Sequence, residues 1–222
     1  MEQAARSKGS EKSGITRALD SMPHAPCSLP RNPIAEDMSR LKSMLQQTVA
    51  PHLPSAISDL QILNLACGRC DEAETLVSLG KEVTHGGDVR MVGADIRIRE
   101  IRQARETHSK LPAEFLIQDA AQLHQHKELG SDFDLVFLRH QNFWHGQETW
   151  KKIFDQGRAR LNKNGLLVIT SYFDHEHKLA LAALQAMGME VVESRRNKAS
   201  RVLKDATGKS VDRWVAVLRP KK

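Results

Sequence analysis

The chain has 222 residues, 40% of them hydrophobic, with a formal net charge of +6 and three cysteines. That length suits one domain with a large core plus appendages. No apolar run approaches the roughly 18 residues of a spanning helix, and the N-terminus lacks a signal-peptide core, so a membrane partner is not expected and the cytoplasm is. An odd number of cysteines at no framework spacing fits a reducing compartment.

Residues 1–31, rich in Ser, Lys, Gly and Pro without apolar periodicity, read as a flexible arm ahead of a domain over 32–222. Asn32-Pro33 is a helix opening, Asn as cap and Pro in the first turn, and Ile34, Met38, Leu41, Leu45 and Val49 then share one face. Pro51 and Pro54 end this flanking helix, expected over 32–50. Strands are expected at 61–66, 91–95, 114–118, 133–138 and 165–171, with helices near 71–79, 98–108, 147–161 and 176–187. Near-continuous apolar runs such as Leu166-Leu-Val-Ile-Thr170 suit strands covered on both faces. Residues 81–90 read as a loop insertion. Met189–Glu193 and Arg213–Leu218, with no helix between them, suggest an antiparallel hairpin at the sheet edge. The fold class is therefore α/β, a Rossmann-like, mostly parallel seven-stranded sheet with helices on both faces and an antiparallel C-terminal edge hairpin.

Charge is unevenly placed. From Arg195 to Lys222 there are ten Lys/Arg against two Asp/Glu, so the preceding residues sum to −2 and the basic character belongs to the chain's end.

In an open parallel sheet, ligands sit at the carboxyl ends of the strands. The first strand delivers Ala66-Cys-Gly-Arg-Cys70, a small-residue turn launching a helix, where a ligand can approach the backbone. The second ends at Asp95 and the third at Asp119; an acid after the second strand can accept both ribose hydroxyls, and one after the third an exocyclic amine. The fourth delivers Arg139, His140, Gln141, Asn142, Phe143, Trp144 and His145, and the fifth Ser171, Tyr172, Phe173, Asp174 and His175.

These residues, in this order, resemble the class I S-adenosylmethionine-dependent methyltransferases over roughly residues 34–220. The family's first motif, acidic-x-Gly-x-Gly-x-Gly, falls on Asn64, Ala66, Gly68 and Cys70, with Cys67 before the one retained glycine. Asp95 in "MVGADIR" matches the ribose-gripping acid, Ile96 the residue packing on adenine, and Asp119 in "FLIQDAAQL" the acceptor of the adenine amine. "FDLVFLRH" and "LNKNGLLVIT" look like the fourth and fifth strand motifs. The resemblance implies S-adenosylmethionine as cofactor, held by Asn64, Ala66, Cys67, Gly68, Asp95, Ile96, Asp119, Ala120 and Arg139. It implies methyl transfer to an acceptor met by His140, Asn142, Phe143, Trp144, His145 and Tyr172. His140, just past the fourth strand, is the candidate base. Phe143, Trp144 and Trp150 are candidate walls for a flat substrate, or equally packing for that loop.

Other readings stay open. A dinucleotide fingerprint would need glycine at 66 and 71, where Ala66 and Asp71 stand, and Asp71, Glu72 and Glu74 would repel a pyrophosphate at the helix start. Cys67-Gly-Arg-Cys70 is a CxxC between strand and helix, the placement used in thiol redox chemistry. His140, His145, His175 and His177, with Asp174 and Glu176, have no recognisable metal-ligand spacing, so no metal is expected. The eroded glycine pattern also suits a binding or regulatory relative without catalysis. The basic segment 195–213 could touch phosphates, making nucleic acid a possible partner, although a small-molecule acceptor is the favoured expectation. The Asn/Asp-Pro-Pro-Tyr/Phe pattern of exocyclic base methylases is absent after the fourth strand, which reads Arg139-His-Gln-Asn142.

Overall fold

The computed structural model describes residues 32–54, 57–126 and 129–221, so the arm expected over 1–31 lies outside the described residues. The chain runs α1 (Pro33–Thr48), β1 (Asp59–Leu65), α2 (Ala73–Val83), β2 (Asp88–Asp95), α3 (Ile98–Thr107), β3 (Ala113–Ile117), β4 (Phe133–Leu138), α4 (Gln147–Ala159), β5 (Leu161–Ser171), α5 (Asp174–Ala186), β6 (Met189–Arg196) and β7 (Trp214–Pro220). Short 3-10 segments occupy 50–52 and 120–125.

The seven strands form one sheet in the order β3-β2-β1-β4-β5-β7-β6. β1 pairs in parallel with β2 on one side and β4 on the other, Asn64 lying opposite Gly93 and Phe137. Strand order reverses between β1 and β4, the switch point at which open α/β sheets form a crevice. The two last strands do form an antiparallel hairpin, but its second arm, β7, inserts between β5 and β6 and pairs antiparallel to both.

Alternation along the strands splits the core. Leu60 and Ile62 of β1 face a layer containing α1, α2 and α3, whereas Leu63 and Leu65 face one containing α4, α5 and the 120–125 segment. α1 starts as its sequence dictates, Asn32 Oδ1 accepting from the Ile34 N–H at 3.0 Å with Pro33 in the first turn. Leu41, Leu45 and Val49 are buried, while Ile34 is 44% exposed, one turn too early to reach the sheet.

The expected 81–90 insertion is mostly regular structure. α2 continues to Val83 and β2 begins at Asp88, leaving a turn at 84–87. The Gly86 N–H closes the helix onto the Lys81 carbonyl at 2.8 Å with φ +88°, and a Cβ on Gly87 would lie 2.0 Å from the Ser58 carbonyl oxygen. Among the described residues no helix is long and apolar enough to cross a membrane.

Candidate active site

A cavity of about 640 Å³ opens at the carboxyl ends of β1, β2, β3, β4 and β5, over the switch point. Ala66, Cys67 and Gly68 line it from the first turn, Asp95 and Ile96 follow β2, Asp119 and Ala120 follow β3, Arg139 and His140 follow β4, and Tyr172 follows β5. Trp150 is also a wall residue.

The turn after β1 has a specific backbone demand. Ala66, Gly68 and Cys70 all adopt left-handed conformation, at φ 53°, 57° and 54°. These alternate positions are where the family pattern has glycines, so two of the three are occupied by residues that pay about 1–2 kcal/mol in strain. Asn64 supports the turn from behind. Its Nδ2 donates to Cys70 Sγ at 3.1 Å and to Glu72 Oε1 at 2.6 Å, and its side chain is fully buried. Asn64 therefore does not line the cavity, contrary to the sequence expectation, because its position on β1 points it under the turn.

Asp95 is a hub of donors. Its Oδ2 accepts from the Gly68 N–H at 2.8 Å, and its Oδ1 from the Arg97 N–H at 2.8 Å. Arg97 adds a two-pronged contact, Nε to Oδ1 at 2.9 Å and Nη2 to Oδ2 at 3.0 Å. Burial alone would raise the Asp95 carboxyl, but these donors hold it below the ordinary carboxylate range. Ile96, 64% exposed, offers an apolar face to the cavity. Asp119 caps the 120–125 segment, accepting from the Ala121 N–H at 2.9 Å and Gln122 Nε2 at 2.7 Å.

At the far end, Arg139 is nearly buried and forks onto Asp212, Nε to Oδ1 at 3.1 Å and Nη2 to Oδ2 at 2.7 Å, with Glu72 Oε2 3.4 Å from Nη1. Burial works against the guanidinium charge, yet the Asp212 and Glu72 carboxylates hold it protonated, above its ordinary value. Asp212 is buried too; desolvation would raise it, but His140 and Arg139 keep it well below the usual carboxylate range. His140 Nε2 lies 2.8 Å from Asp212 Oδ1 and 3.2 Å from the Asp212 N–H. Nε2 thus lies between a carboxylate oxygen and a backbone donor, and whether it donates to the first or accepts from the second follows the ring's tautomer. The ring stacks on Tyr172 with centroids 3.9 Å apart, and Lys209 Nζ sits 4.9 Å from the Tyr172 centroid. Burial pushes the Tyr172 hydroxyl up to about 12.

The loop after β4 corrects four further expectations. His140 takes a left-handed conformation (φ 56°), which turns the chain away from the cavity. Gln141 is buried, its Nε2 donating to Ser171 Oγ at 2.6 Å and its Oε1 accepting from the Phe143 N–H at 3.1 Å. Phe143 consequently packs in the core against Phe154, 5.5 Å away, and is not a substrate wall. Trp144 stacks on His145 and meets Phe173 and His175 edge-on, outside the cavity, and Asn142 also stays outside, its carbonyl accepting from the Gly146 N–H.

The histidines scatter likewise. His177 is buried between Ser171 Oγ at 3.2 Å and Ser194 Oγ at 2.9 Å and stacks on Trp214. Among the described residues no three His, Cys, Asp or Glu come together as metal ligands. The Cys70 thiol is hydrogen-bonded to Cys67, buried, and beside Glu72, which together push it well above its ordinary value. A redox cysteine needs the opposite shift.

Arg97, Thr149 and Ile153 also line the cavity, and Asp212 supports it through His140 and Arg139, though the sequence offers none of these four as site residues. Arg97 was reachable, standing two residues beyond the strand-end acid. Asp212 had no local signal, since only the return of β7 beside β5 brings it to His140.

No curated protein matches the chain. Among solved structures, the PH0226 protein from Pyrococcus horikoshii is similar at 17% identity and a TM-score of 0.62, covering 84% of this chain and 91% of that one. An S-adenosylmethionine-dependent methyltransferase from Clostridium acetobutylicum matches at 11% identity and TM-score 0.59, over 85% and 92%. The N-methyltransferase NodS from Bradyrhizobium japonicum matches at 15% and 0.57, over 87% and 100%. At such identities these likenesses establish the shared fold. The sequence itself carries the family signal across residues 57–217, from just before β1 into β7, and on that match the chain belongs to the methyltransferase domain family.

Proposed function

We propose that the protein transfers a methyl group from S-adenosylmethionine to an acceptor nucleophile presented beside His140 and Tyr172. One observation carries the reading: a single cavity joins a strand-end acid pair, Asp95 and Asp119, to the His140–Asp212 pair. The residues fit the cofactor chemically. Asp95 has ionised oxygens for ribose hydroxyls, Ile96 an apolar face for the base, and Asp119 with Ala120 an edge for the adenine amine. Gly68 allows close approach, since a Cβ there would come 2.6 Å from Arg97 Nη2. The fully paired Arg139 forms a neutralised floor.

The cofactor, when bound, supplies a methyl group on a positively charged sulfur, open to in-line attack. In the tautomer whose Nε2–H donates to Asp212, Nδ1 takes a proton from the acceptor as attack proceeds. Tyr172 fixes the imidazole plane by stacking on one side. Trp150 and Ile153 from α4 keep the approach apolar. The cytoplasm is the proposed compartment, supported by three cysteines at no framework spacing.

Calorimetry with S-adenosylhomocysteine tests the division of roles. Asp95→Ala is expected to weaken binding at least about tenfold, the order expected from losing hydrogen bonds to a charged acceptor. His140→Asn, which tolerates the left-handed backbone, is expected to bind within about threefold of the parent. No binding by the parent at millimolar ligand, or equal loss in both variants, would overturn the reading.

A further inference from the structure

The pairing of β4 with β5 ends at Leu138 and Ile169, yet side chains carry the contact further. Thr170 Oγ1 accepts from the His140 N–H at 3.1 Å, and Gln141 Nε2 donates to Ser171 Oγ at 2.6 Å. Thr170 also reaches the other way, its Oγ1 lying 2.9 Å from Asp212 Oδ1. What each partner can do fixes the direction of both bonds. The His140 N–H can only donate, so the hydroxyl oxygen meets it with a lone pair. The Asp212 carboxylate, ionised despite its burial because His140 and Arg139 face it, can only accept. The single hydroxyl proton therefore points at Oδ1.

Thr170 is fully buried and does not line the cavity. It shares a side of β5 with Leu166 and Val168, whose layer contains α1, and Val215 of β7 pairs with it. The two residues it joins are both strained. His140 (φ 56°) and Asp212 (φ 47°) take left-handed backbone, which residues other than glycine adopt rarely and which persists where surrounding groups over-determine it. They stand 72 residues apart, on the loops after β4 and before β7. Arg139 forks onto Asp212 and neutralises its charge, but the Thr170 hydroxyl bonds to the carboxylate and to the backbone that carries the imidazole. Without that hydroxyl the His140 N–H loses its acceptor and Oδ1 loses a donor. Both loops are then free to relax, and the ring's edge leaves the carboxylate.

We propose that Thr170 is a positioning residue for the acid–base pair, its hydroxyl locking the His140 ring against Asp212 so that the imidazole keeps one tautomer; the use of that imidazole in proton transfer rests on the methyl-transfer reading.

Long-range proton–nitrogen NMR of the full chain carrying isotope-labelled histidine, recorded above the free-imidazole value of about 6.5, tests it. The His140 signals are those lost in His140→Asn. The parent is expected to show two widely separated ring nitrogens, one protonated and one bearing a lone pair. Thr170→Val, matched in shape, and the smaller Thr170→Ala are expected to draw the two together by half or more as the tautomers exchange. Thr170→Ser, which keeps the hydroxyl, is expected to restore the parent's separation. All three are expected to keep the parent's S-adenosylhomocysteine affinity, because Thr170 stands behind the cavity wall. Averaged signals in the parent, parent-like separation in the Val and Ala variants, or a Ser variant as disturbed as the Val one would overturn the proposal. A parent ring protonated on Nδ1 would instead strike His140 as the base, and failure of S-adenosylhomocysteine binding the methyl-transfer reading; both leave the positioning role standing.

Discussion

Asp95 already has every lone pair in use. It accepts from the Gly68 N–H, the Arg97 N–H, Arg97 Nε and Arg97 Nη2, about the four positions a carboxylate offers. Ribose hydroxyls can donate to it only when the guanidinium swings away, which its 56% side-chain exposure permits. Exposed pairs of this kind are worth up to about 1 kcal/mol. Arg97→Ala is therefore expected to tighten S-adenosylhomocysteine binding about two- to fivefold by calorimetry. Weaker binding in that variant would mean that Arg97 grips the ligand rather than competing with it. The contrast shows where sequence reading stops at residue scale. Strand-end positions such as Asp95, Asp119 and His140 were legible because strand direction fixes which end carries a site. What each side chain does there was not: Asn64 folds under the turn, Phe143 enters the core, and Asp212 arrives from a loop seventy residues away.

The elements were more legible than their ends. Apolar runs located all seven strands, because a sheet covered on both faces leaves each strand little choice of composition. The loop expected over 81–90 shrinks to a turn at 84–87, since polar Lys81 and Glu82 continue α2 on its exposed side and the helix stops only where Gly86 supplies a left-handed cap. The insertion of β7 between β5 and β6 is a matter of pairing rather than composition, and composition alone does not order a hairpin's arms. The turn after β1 makes a sharper case. Its left-handed positions at 66 and 68 carry Ala and Gly respectively, so opposite substitutions should have opposite signs. Ala66→Gly relieves about 1–2 kcal/mol of backbone strain against about 0.5–1 of added unfolded-state freedom, a net gain near 0.5 kcal/mol. Gly68→Ala acquires the strain and crowds Arg97, losing about 1 kcal/mol or more. Urea unfolding of the two variants measures the difference; equal signs would show that the turn is not held in this conformation in solution.

At the scale of the whole molecule, stability against pH turns on two neighbours buried where α5 meets the sheet. Burial raises the Glu176 carboxyl to about 7, even though the N–H groups of Tyr172, Trp144 and Phe173 lower it in part. Burial lowers His177 to about 4, away from the 6.5 of a free imidazole. Glu176 takes up a proton more readily folded than unfolded, so its contribution improves as pH falls from about 7 to its ordinary value of 4.5. His177 does the reverse. Folded, it resists the proton that the unfolded chain accepts, so its contribution is full above 6.5 and is lost as pH falls towards 4. Between about pH 4.5 and 6.5 the folded chain thus gains one proton at Glu176 and forgoes one at His177, and these two slopes cancel. Replacing either residue uncovers the other. Glu176→Gln is expected to leave a protein that loses stability from pH 6.5 down to 5, and His177→Gln one that gains it over the same interval, each read by urea midpoints at half-unit steps. Parallel curves for both variants and the parent would show that neither group is held in the protonation state its burial demands, and that the packing of α5 against the ends of β5 and β6 is looser than this arrangement requires.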